Sequence, residues 1–225
     1  MLATPTQASR RPSAPAPSSP SVPAPTPRRI ALVGIDGAGK TTQAHLLAEA
    51  LTAAGRPARY CRNAGGRRWM DRLAVRLGQP HARRLLGRGG LLFLEALLRW
   101  LAIARTLIGS GRRIAVMDRY AVCQYASIRA HRAVRWERVA RVAYQAFPAP
   151  DVTFLLWLPP AEARRRIEAR GTDSESLDYL ARSAAAYQSL PESAGFVVID
   201  ARGSAAQVAK SIRQHLSQWL PAGAG

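Results

Sequence analysis

Five short runs of β-prone apolar residues recur along the chain, at 29–33, 58–62, 113–117, 152–158 and 196–200. Between them apolar residues return at helical intervals, which predicts helices near 40–54, 69–78, 83–108, 132–147, 160–170, 176–190 and 204–219. Gly55 and the Gly-Ser-Gly of 109–111 supply helix stops, and Pro148 with Pro150 closes another. Strands that alternate with helices imply right-handed crossovers. The expected fold is therefore an α/β three-layer sandwich, about five parallel strands with helices on both faces. In such sheets ligands gather at the carboxyl ends of the strands, so the chemistry is expected just after residues 33, 62, 117 and 158.

With 225 residues the chain supports one sizeable core. Its formal net charge of +19 points to an anionic partner: a nucleotide, a nucleic acid or an anionic surface. A base-composition bias in the coding DNA competes with that reading, because Lys40 and Lys210 are the only lysines among many arginines. Residues 1–27 are dense in proline, alanine and serine and contain no acid, a composition expected to stay disordered. They have no apolar signal-peptide core, and their prolines oppose the amphipathic helix of a transit peptide; a misassigned start codon is the other reading. The most apolar stretch, 91–108, is interrupted by Glu95, Arg99 and Arg105, so it is expected as a buried helix rather than a membrane span. Cys61 and Cys123 lack metal-ligand spacing and read as free thiols in a reducing compartment, the cytoplasm.

The sharpest motif is Gly34-x-x-x-x-Gly39-Lys40-Thr41, a phosphate-binding loop. Its glycines let successive backbone N–H groups turn inward, and the helix beginning there adds the positive end of its dipole. Gly34, Asp36, Gly37, Ala38, Gly39, Lys40, Thr41 and Thr42 are the expected nucleotide-binding residues. Lys40 is expected to reach the β and γ phosphates of ATP, and the Thr41 hydroxyl to ligate Mg²⁺.

Taken together, "GIDGAGKTTQ" and the later "MDRY" resemble the thymidylate kinase family of P-loop nucleoside monophosphate kinases. The resemblance implies a kinase domain over 28–220 with a short helical lid at about 162–178. It implies transfer of the γ-phosphoryl of ATP to a nucleoside monophosphate, dTMP first, with Mg²⁺, in nucleotide biosynthesis; a homodimer is a further implication. Asp118 is expected to hold the metal or orient the acceptor, Arg119 to grip phosphate bidentately, and Tyr120 to lie near the acceptor nucleoside. Arg62, after the second strand, matches the family's acceptor-loop arginine, whereas Asn63 and Ala64 replace its acid and proline. The family's arginine on the long helix falls in direct register on Leu97; Arg99, two positions on, can serve only if the register shifts. The tyrosine-glutamine pair that reads thymine falls on Ser127 and Ile128, so the reader is absent or displaced to Gln124 and Tyr125.

In "PAEARRRIEARG", Arg166 and Arg170 stand at i and i+4 on one helix face, and lid arginines there are expected to cover the transferring group. A solvated helix face is the alternative for Arg164, Arg165, Arg166 and Arg170. Two rival functions remain. A kinase of a nucleoside or other hydroxyl acceptor would want a carboxylate base, and Asn63 denies one. A non-catalytic nucleotide- or nucleic-acid-binding relative would draw on the basic residues at 67, 68, 72, 76, 83, 84 and 88, but few aromatics interleave them.

Overall fold

The computed structural model describes residues 26–79, 82–171 and 175–219. Nearly all of the expected disordered tail, and residues 172–174 of the expected lid, lie outside the described residues. Five strands, β1 (Arg29–Val33), β2 (Ala58–Arg62), β3 (Ile114–Asp118), β4 (Val152–Trp157) and β5 (Phe196–Asp200), form one sheet in the order β2-β3-β1-β4-β5, every pair parallel. β1 is central because Ile30, Ala31, Leu32 and Val33 are apolar on both faces, as a strand covered on both sides requires. β3 ends one residue later than its apolar run suggests. That extra residue is Asp118, which pairs in register with Leu32 on one side and Arg62 on the other.

The helices are α1 (Lys40–Ala53), α2 (Arg67–Arg76), α3 (Ala82–Gly109), α4 (Ala121–Ala130), α5 (Arg135–Tyr144), α6 (Pro160–Glu168), α7 (Leu177–Ser189) and α8 (Ala205–Leu216). α1 packs on α8 and beneath β2 and β3, while α4 joins α3, α5 and α7 in a second group. The sequence patterning missed α4. Its residues are buried on every side, from Ala121 through Ile128 and again at Ala130, so no polar face marks a helical period. The helix expected at 132–147 is correspondingly shorter. α3 is interrupted at Gly87, whose φ of 65° and ψ of 176° are non-helical. α8 opens with a capping box in which Ser204 and Gln207 satisfy each other's backbone N–H groups. No helix among the described residues is long and apolar enough to cross a membrane.

Candidate active site

β1 delivers the chain into the glycine loop and α1 receives it. Gly37 has φ 90°, and a Cβ there would stand 2.6 Å from the Ala163 carbonyl oxygen, so the loop lies directly against α6. Gly39, at φ 87°, turns the backbone into α1 from a conformation that L side chains rarely adopt. Lys40, 5% exposed, folds back over this loop: its Nζ donates to the Ile35 carbonyl at 2.7 Å and lies 3.5 Å from Asp36 Oδ1. Burial, helped by the nearby Arg119 charge, lowers its pKa from 10.5 to about 8. A phosphate needs the ammonium form, so the free protein should bind ATP progressively more weakly as pH rises through about 8. In Lys40→Met that limb should vanish. Dissociation constants measured from about pH 6.5 to about pH 9.5 test this, and a flat wild-type curve would count against the role.

At the end of β3, Asp118 is 3% exposed. Its Oδ2 accepts two hydrogen bonds, from Thr41 Oγ1 at 2.6 Å and from the Tyr60 hydroxyl at 3.2 Å. Its Oδ1 is buried and has no hydrogen-bond partner among the described residues. A hydroxyl against a carboxylate with a spare oxygen suits a hard cation. Among the described residues no three His, Cys, Asp or Glu side chains gather. Such a cation would therefore take few protein ligands, the habit of Mg²⁺ bound largely by water and phosphate.

Tyr60 was not foreseen from the sequence. Its ring stacks on His45 with centroids 3.7 Å apart, and burial with the adjacent Asp118 raises its pKa to about 12, so it remains a donor. If Thr41 leaves Asp118 for a metal, Tyr60 still holds Oδ2 in place. Tyr60→Phe keeps the stack and deletes the bond. We expect kcat to fall roughly 5- to 10-fold, the worth of one hydrogen bond to a charged group. KM for ATP should hold while the Mg²⁺ concentration for half-maximal rate rises; equal loss at every Mg²⁺ concentration would argue against positioning.

Arg119 has φ 79°, a left-handed backbone that is unfavourable for an arginine. Three bonds hold it there. Its own N–H donates to the Leu32 carbonyl at 3.1 Å, Asn63 Nδ2 donates to the Arg119 carbonyl at 2.9 Å, and the Asn63 N–H donates to the Asp118 carbonyl at 3.0 Å. Asn63 is wholly buried, and its Oδ1 accepts from Thr106. Its amide thus clamps a strained turn. The turn aims Arg119 Nη2 at Asp36 Oδ1, the oxygen that Lys40 also approaches. Lys40, Thr41, Asp36, Asp118 and Arg119 therefore meet at one place.

Arg62 is exposed at the end of β2, beside Asp118 in the sheet. On α3 the direct-register position, Leu97, is 41% exposed, whereas Arg99 is 2% exposed. Arg99 Nη2 donates to Glu95 Oε1 at 2.8 Å and its Nε to Gln124 Oε1 at 3.2 Å. Gly65 lies against this pair: a Cβ there would fall 2.3 Å from Glu95 Cγ. Arg99 Nη1, Gln124 Nε2 and Ser127 Oγ are all buried without a hydrogen-bond partner among the described residues. Tyr125 turns the other way, under Arg141, whose guanidinium carbon is 4.4 Å from its ring centre; Ile128 is in the core. Tyr120 is buried too, its hydroxyl donating to the Pro148 carbonyl at 2.6 Å.

The lid arginines are differently employed. Arg166 Nη1 and Nη2 donate to the carbonyls of Ala201 and Arg202, each at 2.9 Å, fastening α6 to the loop after β5. Arg170 is exposed, with its Nε on the Arg166 carbonyl. Arg164 pairs with Glu168 and Arg165 with Glu162 along the helix face. Thr42 is exposed, and Ala38 is buried beneath the loop.

Comparison with known proteins identifies the family of the chain. A family profile described as thymidylate kinase matches residues 32–212. The chain is 30% identical over 208 residues to the thymidylate kinase of Halorhodospira halophila, covering 86% of this chain and 95% of that protein. It is 30% identical over 205 residues to the thymidylate kinase of Chromobacterium violaceum, covering 87% and 96%. With the thymidylate kinase of Rhodopirellula baltica the identity is again 30%, over 196 residues, covering 82% and 78%.

Proposed function

The chain belongs to the thymidylate kinase family, and from that premise we propose that it passes the γ-phosphoryl of ATP to the phosphate of dTMP, with Mg²⁺, through the residues assembled around Asp36. It is an ATP-dependent nucleoside monophosphate kinase. The observation that carries the assignment of roles is the convergence of Lys40, from the glycine loop, and Arg119, from the end of β3, on a single carboxylate oxygen. Two anionic substrates repel each other, and cations from both sides must stand where their charges meet.

The acceptor's phosphate oxygen forms the new bond to the γ phosphorus while the bond to the bridging oxygen of ADP breaks. Lys40 and the loop amides hold the donor phosphates. Arg119 and Arg62 hold the acceptor phosphate, so attack is a matter of alignment. Thr41 and Asp118 would hold Mg²⁺, which would supply neutralising charge for the donor phosphates when bound. Arg166 sets the wall on the side of the loop after β5, and Arg170, free of any carboxylate among the described residues, brings positive charge from the lid. Buried Asn63 carries an amide held by Arg119 and Thr106 rather than a carboxylate, which speaks against a hydroxyl acceptor needing a base at that position. We place the reaction in the cytoplasm.

Arg99 and Gln124 deepen this reading. Arg99 Nη1 and Gln124 Nε2 are donors, and a buried donor left unpaired costs about 1–3 kcal/mol. A base edge with a carbonyl oxygen relieves that cost, whereas an exocyclic amine sets donor against donor. We expect dTMP and dUMP to be used at least roughly 10²-fold better than dCMP, judged by kcat/KM in a coupled ADP-release assay. Gln124→Glu should narrow the gap by turning a donor into an acceptor. Equal use of dCMP and dTMP by the wild type would refute the base assignment while leaving phosphoryl transfer itself intact.

A further inference from the structure

At the opposite end of the sheet from the glycine loop, where the strands begin, lies a cavity of about 280 Å³. Arg28, Arg29 and Arg113 line it, together with Ser110, Gly111 and Pro148. Arg29 is the first residue of β1, so the cavity is separated from the glycine loop by the length of a five-residue strand, roughly 15 Å. It is a distinct place, and none of the residues assigned to phosphoryl transfer lines it.

The charges around it are not balanced. Arg29 Nη2 pairs with Asp151 Oδ1 at 2.7 Å, and the other oxygen of Asp151 is taken by the backbone N–H groups of Arg28 and Arg29. Asp151 is therefore saturated, its carboxyl held below the usual range by these bonds despite the opposing effect of burial. Arg29 Nε is buried without a partner among the described residues. The guanidinium of Arg28 reaches only the Gly111 carbonyl, at 3.4 Å, and neither Arg28 nor Arg113 has an ion-pair partner among the described residues.

The closing carbonyls of α3 do not account for this charge, because Gly109 is served by Arg59 and Thr106 by Ser110. Residues 1–27 bring no carboxylate side chain either, since they contain no Asp or Glu. Three guanidinium groups about one cavity with a single, saturated carboxylate leave a net positive concavity. Forked donors of this kind match phosphate oxygens, and a volume just under the ordinary range for ligand pockets suits a small anion rather than a whole cofactor.

We propose that this cavity is a second anion site, which takes a small polyphosphate such as a diphosphate group between Arg28, Arg29 and Arg113. The probe is inorganic pyrophosphate, titrated calorimetrically into the wild type, the double variant Arg28→Gln/Arg113→Gln, and Lys40→Met. Two sites are expected in the wild type. The double variant should lose one of them, or weaken it at least roughly tenfold, with its phosphoryl-transfer rate unchanged, which also shows that it is folded; a pair of charge-assisted contacts is worth that much. Lys40→Met should lose the other site. A single wild-type site that disappears in Lys40→Met overturns the proposal, as do two sites indifferent to the double variant. Neither result bears on the kinase assignment, which the turnover measurement reads separately.

Discussion

Lys40→Met is expected to lower kcat/KM for ATP roughly 10³-fold and, in the same protein, to raise thermal stability. The loss follows from removing a preorganised cation from a buried site, where a single well-placed donor is worth on the order of 10²–10³ in rate and a full charge no less. The gain follows from the depressed pKa. Lys40 falls from 10.5 to about 8 on folding, so its ammonium is less comfortable in the native state than in the unfolded chain. That penalty, about 3 kcal/mol from the shift, is present in full below pH 8 and fades as pH rises toward 10.5, where the unfolded chain alone still holds the proton. Wild-type stability relative to Lys40→Met should therefore improve across that alkaline window. Methionine preserves the stem's packing, so cavity formation does not cloud the comparison. Denaturant midpoints at about pH 7 and about pH 9.5 read the stability. A variant that is inactive and also less stable would mean that the ammonium is a structural tie.

Arg119→Ala should be nearly as costly, roughly 10²–10³ in kcat/KM for the acceptor, with KM for ATP little changed. The asymmetry between substrates is the informative part. Arg119 follows Asp118, the β3 residue that pairs with Arg62, and its guanidinium reaches Asp36 of the glycine loop, so the proposal that it grips the acceptor is what this asymmetry tests. Arg119→Lys should recover only a fraction of the loss, because a point charge on a flexible stem cannot reproduce the planar fork. Neither change breaks the fold: the strained backbone is held through its own N–H and carbonyl by Leu32 and Asn63, bonds that do not involve the guanidinium. Relief of a φ of 79° is not expected from either residue, so a large stability change would indicate a different role. A loss confined to KM for ATP would move Arg119 to the donor side.

Most strands were legible as apolar runs, β2 with its Arg59 and Arg62 being the weakest, and all five lie within one residue of their expected limits. α4 was not, since periodicity reports a helix only when one face meets water and α4 has almost none. The phosphate loop and the Asp-Arg-Tyr triplet could be read because backbone-directed motifs need particular residues in sequence. Side chains that meet from separate elements leave no such trace. Arg99 is the instructive case: register against the family pattern favours Leu97, but two residues is roughly 200° of helix, and Leu97 faces outward while Arg99 faces the interior. Tyr60 reaches Asp118 from a neighbouring strand, 58 positions away, and nothing near Tyr60 in the chain signals it. Asn63 read as a lost carboxylate, whereas its amide is what a buried site needs to donate to one backbone carbonyl while accepting from Thr106.

Asp36 carries a last consequence. Its Oδ1 stands between Lys40 and Arg119, the two cations that substrate phosphates would claim. A phosphate drawn to the same pair of cations would have to share them with this carboxylate.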